Sequence, residues 1–137
     1  MGTPGLDYLE LTDSGDQRGS SFPVPPTWFA EPFPLRDAHI TTLLPGHIRG
    51  NHFHRARREI FVVIANDRWS LHWDMGEGTS SQSHEFEGPS AVVVRIQPQV
   101  SHAIRNDGSA ILHLVGLTDG PYDPTAPDAF PRRVTSP

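Results

Sequence analysis

Proline is unevenly distributed along this chain, and its distribution limits where regular secondary structure can form. Eleven of the 14 prolines lie in residues 1–36 or 119–137. Because proline lacks an amide donor and fixes φ, neither segment can hold a long helix or a central strand. We therefore predict a folded domain at residues 37–118 between an N-terminal extension and a C-terminal tail. Residues 1–20 are expected to be mobile, and the aromatic residues 21–36 to lie across the domain or a partner subunit.

The central segment has the pattern of β-strands. Residues 59–64 are a β-branched and aromatic run followed by the turn pair Asn66-Asp67. Residues 68–74 alternate large apolar and polar side chains, which is the period of a strand with one buried face. Residues 91–96 and 110–117 are two more apolar runs, and no helical periodicity of useful length occurs. The pattern predicts a single all-β domain, either a sandwich or a barrel.

Composition and charge exclude several classes of function. The net charge is −5, the 11 cationic residues are all arginine, and cysteine is absent. A mildly acidic domain is a poor candidate for nucleic-acid binding, and without cysteine neither disulfides nor thiolate metal sites can form. The chain has no apolar run of the roughly 20 residues that span a membrane and no recognisable secretory signal. We therefore expect a cytoplasmic protein that binds neither nucleic acid nor membranes.

Three histidines and one glutamate are spaced like the ligands of a metal ion. His52 and His54 are two residues apart, so on a strand both imidazoles point to the same side. Glu59 opens the next strand, and His102 follows in a later one. Imidazole and carboxylate groups are good ligands for divalent metals. The set predicts one divalent ion with one or two coordination positions left for water or substrate.

These residues resemble the two sequence motifs of the cupin superfamily. Gly46, His52, His54 and Glu59 have the spacing of the first motif, and Pro98, His102 and Asn106 match the second. The resemblance implies a jelly-roll barrel, also called a double-stranded β-helix. Three positions depart from the motifs: Asn66 and Gln99 replace glycines, and Gln97 replaces a proline. Asparagine is the commonest non-glycine residue at positive φ, so Asn66 is expected to serve the turn.

Residues 49–54, Arg-Gly-Asn-His-Phe-His, narrow the resemblance to cupin epimerases. They resemble the cupin domain of capsular-polysaccharide sugar epimerases and the small MarH-type epimerases of β-methylindolepyruvate in maremycin biosynthesis. The resemblance implies a homodimeric, metal-dependent isomerase of antibiotic biosynthesis that inverts the carbon next to the ketone of an aromatic 2-oxo acid. Zinc is the expected ion, with iron, manganese and nickel as alternatives. The competing hypotheses are an iron-dependent dioxygenase, a sugar-nucleotide epimerase or ketoisomerase, and a non-catalytic binding protein.

The remaining site residues depend on the strand register. If Asn66-Asp67 closes a two-residue hairpin, Phe61 pairs with His72, which then faces the cavity while the tryptophans face outward. We favour this register; a shift by one residue would turn Trp69 and Trp73 inward. The general base is expected to be His72, His47 or a metal-bound hydroxide. Arg49 is the candidate clamp for the substrate carboxylate, because guanidinium binds carboxylates bidentately, and Trp73 is a second substrate-binding candidate.

Overall fold

The computed structural model describes residues 4–137, and its regular structure is almost entirely β. The one exception is a short 3₁₀ turn at Pro26–Phe29. The strands in chain order are β1 Leu6–Glu10, β2 Asp37–Leu43, β3 Ile48–Phe53, β4 Glu59–Ala65, β5 Trp69–Trp73, β6 Gln82–Phe86, β7 Ser90–Ile96, β8 His102–Asn106, β9 Leu112–Thr118 and β10 Phe130–Pro131. No helix among the described residues is long and apolar enough to cross a membrane.

The strands form two antiparallel five-stranded sheets. The first sheet has the order β1-β7-β4-β9-β2, and the second has the order β10-β3-β8-β5-β6. Consecutive strands repeatedly pass from one sheet to the other, which is the topology of a jelly roll. The predicted all-β jelly-roll fold is confirmed.

The core lies between the two sheets and is built by alternation along each strand. Phe61 and Val63 of β4 and Val94 of β7 face Trp69 and Leu71 of β5, and all five side chains are buried. Trp69 also stacks on Phe86, with ring centroids 4.4 Å apart and 16° between the ring planes. The tryptophans that the sequence could place on either face are therefore part of the core.

The favoured register between β4 and β5 is wrong. Asn66-Asp67 does not close a hairpin, because β4 lies in the first sheet and β5 in the second. His72 pairs with Ala103 of β8 and Ser83 of β6 rather than with Phe61. Since neighbouring residues of a strand point to opposite faces, His72 lies on the outer face when Leu71 and Trp73 face the core.

The two proline-rich ends contribute strands to the sheets. β1 pairs with β7, with Leu6 opposite Ile96, so these residues are ordered in place of the expected mobile segment. β10 pairs with β3. The barrel therefore extends beyond residues 37–118, and residues 1–3 of the N-terminal extension lie outside the described part of the chain. The side chains of Phe22, Val24, Trp28 and Phe33 pack against the outer face of β4 and β7.

An ion pair fastens the C-terminal tail to the end of the barrel. The carboxylate of Asp74 accepts hydrogen bonds from Arg132 Nε at 2.6 Å and Nη2 at 2.8 Å, and from the backbone N–H groups of Ser101 and Gly76. Burial alone would raise the pKa of Asp74, but these four hydrogen bonds outweigh it and lower the pKa below its usual value. The Asp74 side chain is only 4% exposed, so Arg132 is its principal counter-charge.

Asp74→Asn is expected to lower the free energy of unfolding by about 2 kcal/mol at pH 7, since hydrogen bonds to a charged group are lost. Because the folded-state pKa is lowered, this contribution is present above the unfolded value of about 3.9 and is lost as the pH falls through the folded-state pKa. Urea denaturation of both proteins at pH 7 and pH 3 tests both statements. The matched control is Asp7→Asn, whose partner Arg95 forms a more exposed pair at 2.7 Å; it should cost less than about 1 kcal/mol. Equal costs for the two variants, or a cost for Asp74→Asn that does not change with pH, would contradict this account.

Candidate metal centre and active-site cavity

One cavity of about 490 Å³ opens between the two sheets and contains all four predicted metal ligands. This volume is in the range of small-molecule binding sites. Its walls come from strands β2, β3, β4, β8 and β9 and from the C-terminal tail. The polar and charged lining residues are Asp37, His39, Thr41, Arg49, His52, His54, Arg57, Glu59, His102, Thr118 and Tyr122.

A β-bulge in β3 positions His52. The pairing of β3 with β8 is regular at Gly50 and shifts by one residue before His52, which lies opposite His102. The extra residue is Asn51, with a φ of 58°, and Gly50 has a φ of 108°. A Cβ added at Gly50 would lie 2.4 Å from the carbonyl oxygen of His102, so the two strands approach closely only because this residue is glycine. The bulge brings the imidazoles of His52 and His102 to the same side of the sheet.

Positive φ is expected at Asn66, but the non-glycine residues that adopt it in residues 4–137 are Asn51 and Gln99. Asn51 is held by its side chain, whose Oδ1 accepts hydrogen bonds from the N–H groups of Val134 and Thr135. Gln99 takes the left-handed conformation of the turn glycine, with a φ of 74°. Asn66 is not among the non-glycine residues of positive φ in residues 4–137, so its expected role in the turn is wrong.

Backbone carbonyls orient two of the imidazoles. His54 directs Nδ1 at the carbonyl oxygen of Asp128, and His102 directs Nδ1 at the carbonyl oxygen of Val100, 3.1 Å away. A carbonyl can only accept, so each Nδ1 carries a proton, and Nε2 is the nitrogen of each ring that is left to bind a metal ion. The side-chain carboxylate of Asp128 also accepts the N–H groups of Arg55, Ala56 and Arg57, which holds the loop between His54 and Glu59.

The three imidazoles and the carboxylate converge. Ligand nitrogens of His52, His54 and His102 all lie within 4.8 Å of one another. Glu59 Oε2 lies 3.1 Å from His54 Nε2, and Glu59 Oε1 lies 3.9 Å from His102 Nε2. The Nε2 atom of His102 is buried and has no hydrogen-bond partner among the described residues. A cation between the unpartnered Nε2 of His102 and the carboxylate of Glu59 would satisfy both groups, so this set fits a divalent metal ion.

Electrostatics keep three of these side chains, His52, Glu59 and His102, in the protonation states of metal ligands. Burial, reinforced by the neighbouring His102 and His54, lowers the pKa of His52 to about 4. Burial also lowers the pKa of His102. Burial alone would raise the pKa of Glu59, but the hydrogen bond with His54 and the adjacent imidazoles lower it to about 2. At neutral pH these groups therefore need to release no proton before a metal binds.

Three other predicted site residues lie outside this cavity. His72 is on the outer face of the second sheet, where its Nε2 hydrogen-bonds Ser70 Oγ at 2.8 Å. His47 is exposed in the turn before β3 and does not line the cavity. Trp73 faces the core, where it packs edge-on against Tyr8 at 5.9 Å. These three expectations are wrong for different reasons. The β4–β5 hairpin that would place His72 in the cavity does not exist. His47 lies in an exposed turn, and Trp73 is part of the core.

Arg49, the candidate clamp for a substrate anion, is one of the residues that line the cavity. Its Nε donates to the carbonyl oxygen of Thr42 at 3.0 Å. This single bond fixes the guanidinium and leaves its terminal nitrogens available to an anion. Arg57 provides a second positive charge on the same cavity.

Sequence reasoning missed the far wall of the cavity. Asp37 and His39 of β2 and Tyr122 of the tail line it, and Asp128 supports the metal-ligand loop from outside. Asp37 and His39 are two residues apart at the start of a strand, which is the same signal that identified His52 and His54. Tyr122 and Asp128 lie in the proline-rich tail, where no periodicity marks them.

Solved structures with this architecture are cupins. CapF from Staphylococcus aureus, a capsular polysaccharide assembling protein, superposes with a TM-score of 0.65 at 22% identity over 90% of this chain and 34% of CapF. The 3,4-ketoisomerase QdtA from Thermoanaerobacterium thermosaccharolyticum gives 0.67 at 20% identity over 92% of this chain and 86% of QdtA. The 3'-monoepimerase ChmJ from Streptomyces bikiniensis gives 0.74 at 16% identity over 93% of this chain and 68% of ChmJ. The chain has the cupin fold and spans about a third of the length of CapF.

The family within this fold follows from the sequence. The model of the polysaccharide biosynthesis C-terminal domain matches residues 35–130, most of the chain. The protein belongs to that family. No curated protein matches the sequence.

The imidazole cluster predicts one divalent ion per chain. Isothermal titration with zinc should give a stoichiometry of one, and His102→Ala should weaken binding by more than about 100-fold, beyond the effect typical of residues that only support a ligand. His113→Ala is the matched control, because His113 is an exposed histidine of β9 that does not line the cavity. Zinc at 100 times its dissociation constant should also stabilise the wild-type protein by about 2.7 kcal/mol. Unchanged affinity in His102→Ala would contradict the assignment.

Proposed function

We propose that this protein is a metal-dependent epimerase that exchanges the proton on a carbon next to a ketone in a nucleotide-linked sugar. The observation that carries this proposal is the set of three imidazoles and one ionised carboxylate in a cavity of small-molecule size. Membership of a polysaccharide biosynthesis family supports a sugar substrate. The related folds of QdtA, a ketoisomerase, and ChmJ, an epimerase, support an isomerase reaction.

The cavity residues have two kinds of role: four would hold the metal ion, and the others bind and surround the substrate. His52, His54, Glu59 and His102 would hold the metal, with zinc as the expected ion. When bound, such an ion supplies a Lewis acid that stabilises negative charge on a carbonyl oxygen. Arg49 and Arg57 bind anionic groups of the substrate at the same cavity. Phe61, Ile104 and Leu114 line the apolar part of the cavity and exclude water from the reacting carbon.

The cavity favours a sugar over an aromatic 2-oxo acid. An indole ring would gain from stacking on a tryptophan, but Trp69 and Trp73 are both in the core and neither lines the cavity. Most of the lining side chains are instead histidine, arginine, threonine and carboxylate, which suit hydroxyl and phosphate groups. The β-methylindolepyruvate substrate and a role in antibiotic biosynthesis therefore have less support than the sugar-nucleotide alternative. The homodimer stays a prediction.

Proton exchange in D₂O tests this proposal. Zinc-loaded and chelator-treated protein is incubated with TDP-4-keto-6-deoxyglucose or with 3-(indol-3-yl)-2-oxobutanoate, and proton NMR follows the position next to each ketone. We expect the zinc-loaded protein to exchange the sugar proton at least about 100-fold faster than the chelated protein, a usual size for positioned acid–base catalysis. His113→Ala should exchange like the wild type, and the indolyl compound should keep its proton.

Each other outcome identifies a different enzyme. Exchange that survives the chelator would contradict metal dependence and favour a metal-free ketoisomerase. Exchange of the indolyl compound alone would restore the aromatic 2-oxo acid as substrate. Consumption of oxygen by iron-loaded protein would indicate the dioxygenase, and binding of the sugar nucleotide without exchange would indicate a non-catalytic domain.

A further inference from the structure

A second polar cluster lies on the cavity wall formed by β2. The Nδ1 atom of His39 lies 2.6 Å from Asp37 Oδ2. The ring of Tyr122 packs edge-on against the His39 imidazole, with centroids 5.7 Å apart and planes at 78°. All three side chains line the same cavity as the metal-ligand set. None of them belongs to that set, so the cavity contains a titratable group whose chemistry is not yet assigned.

The strand register places this cluster on the same sheet as Glu59, two strands away, whereas His52 and His102 are on the second sheet. Across β4, β9 and β2, Glu59 pairs with Thr118 and Thr118 with Asp37. In the next row that faces the cavity, Phe61 pairs with Gly116 and Gly116 with His39. Two strand spacings separate the outer members of each row, which is roughly 10 Å between backbones. Side chains that point into the cavity from β4 and from β2 can therefore contact one small molecule that lies over β9.

Gly116 of β9 leaves open space in the cavity between β4 and β2. A Cβ added there would have only one neighbour within 4 Å, the carbonyl oxygen of His39 at 3.9 Å. A larger residue at this position would project into the cavity between Phe61 and His39. The floor beneath a bound molecule is therefore backbone, and the molecule can lie close to His39.

The contact with Asp37 sets the tautomer of His39. A lone pair on Nδ1 would face a carboxylate oxygen at 2.6 Å and be repelled, so Nδ1 carries the proton. The Nε2 atom, on the other side of the ring, then has the free lone pair of a base. Asp37 is 20% exposed and His39 is 57% exposed, so the carboxylate is sheltered while the imidazole is accessible. A sheltered carboxylate behind an accessible imidazole is the arrangement that orients a general base and stabilises the imidazolium formed from it.

We propose that His39 is the general base that removes the proton next to the substrate ketone, with Asp37 and Tyr122 as positioning residues; this assignment rests on the proposed function. The proton moves from carbon to Nε2, the C–H electron pair becomes a carbon–carbon double bond, and the carbonyl π electrons move to oxygen. A proton from solvent, delivered to the opposite face of the same carbon, restores the ketone and gives the epimer, and Nε2 of His39 releases its proton to solvent. The residues that would hold the metal ion would thereby stabilise the charge on oxygen, while His39 accepts the proton.

The first test is His39→Ala, assayed by the exchange of the TDP-4-keto-6-deoxyglucose proton in D₂O. The exchange rate is expected to fall by at least about 100-fold, while the zinc stoichiometry and the KM stay close to wild type. Added imidazole should restore part of the rate, because His39 is largely exposed and its removal leaves an accessible gap. A purely structural role would not be rescued by a soluble base. His113→Ala, on the outer side of the same sheet, is the matched control.

The positioning role of Asp37 is tested by the effect of its substitution on His39, the proposed base. Asp37→Asn is expected to lower kcat by about 10-fold or more with little change in KM, because the amide can hold the imidazole in the wrong tautomer. Asp37→Glu should recover part of the rate. Nitrogen-15 NMR of the wild-type protein should show His39 protonated at Nδ1, and this preference should be lost in Asp37→Asn.

The outcomes separate this assignment from the function on which it rests. A wild-type protein that exchanges no sugar proton would overturn the proposed function and this assignment with it. A wild-type protein that exchanges, together with a zinc-loaded His39→Ala variant that exchanges equally fast, would overturn the assignment alone. Loss of activity together with loss of zinc binding would also overturn it, because His39 would then act through the fold.

Discussion

The close approach of β3 and β8 at Gly50 determines where the metal ligands lie. A side chain at this residue would collide with the carbonyl oxygen of His102, and the bulge at Asn51 requires a positive φ that the C-terminal tail supports through hydrogen bonds. This local geometry sets His52 directly opposite His102. The sheet crossing after β3 then brings Glu59 from the first sheet to the same point. The arginine-glycine-asparagine-histidine segment is therefore a structural requirement of the site as much as a sequence signature.

Burial gives the cavity its chemical character. Burial disfavours the charged forms of His52 and His102, whereas Glu59 keeps its charge despite burial because of its contact with His54 and the adjacent imidazoles. The buried Nε2 of His102 has no partner among the described residues, so the apo arrangement contains an unsatisfied ligand that a cation would satisfy. The part of the cavity formed by β2 is less buried: His39 is accessible to solvent, and only its carboxylate partner is sheltered. The buried metal-ligand set suits the stabilisation of charge on oxygen, and the accessible His39 suits the transfer of a proton from carbon.

Much of this organisation is predictable from sequence, and the failures have a common cause. His52, His54, Glu59 and His102 can be identified because motif spacing is local and strand alternation is strict. Whether His72 and Trp73 point into the barrel or out of it depends on which sheet their strand joins. A turn pair such as Asn66-Asp67 is equally compatible with a hairpin and with a crossing between sheets. Tyr122 and Asp128 contribute through a tail whose path depends on tertiary contacts such as Asp74 with Arg132. His39 is part of a readable pattern, but nothing local shows that β2 lies beside β9 in the sheet that holds Glu59.

The most direct test of the central claim is the X-ray absorption spectrum of the zinc-loaded protein at the zinc edge. The account predicts a first shell of three imidazole nitrogens and a carboxylate oxygen at about 2.0–2.2 Å, with the outer-shell scattering typical of histidine rings. The spectrum of His102→Ala should lose one imidazole from that shell, and that of His113→Ala should match the wild type. A first shell of water and carboxylate oxygens without imidazole scattering would contradict the account, because the metal would then lie outside the converging histidines.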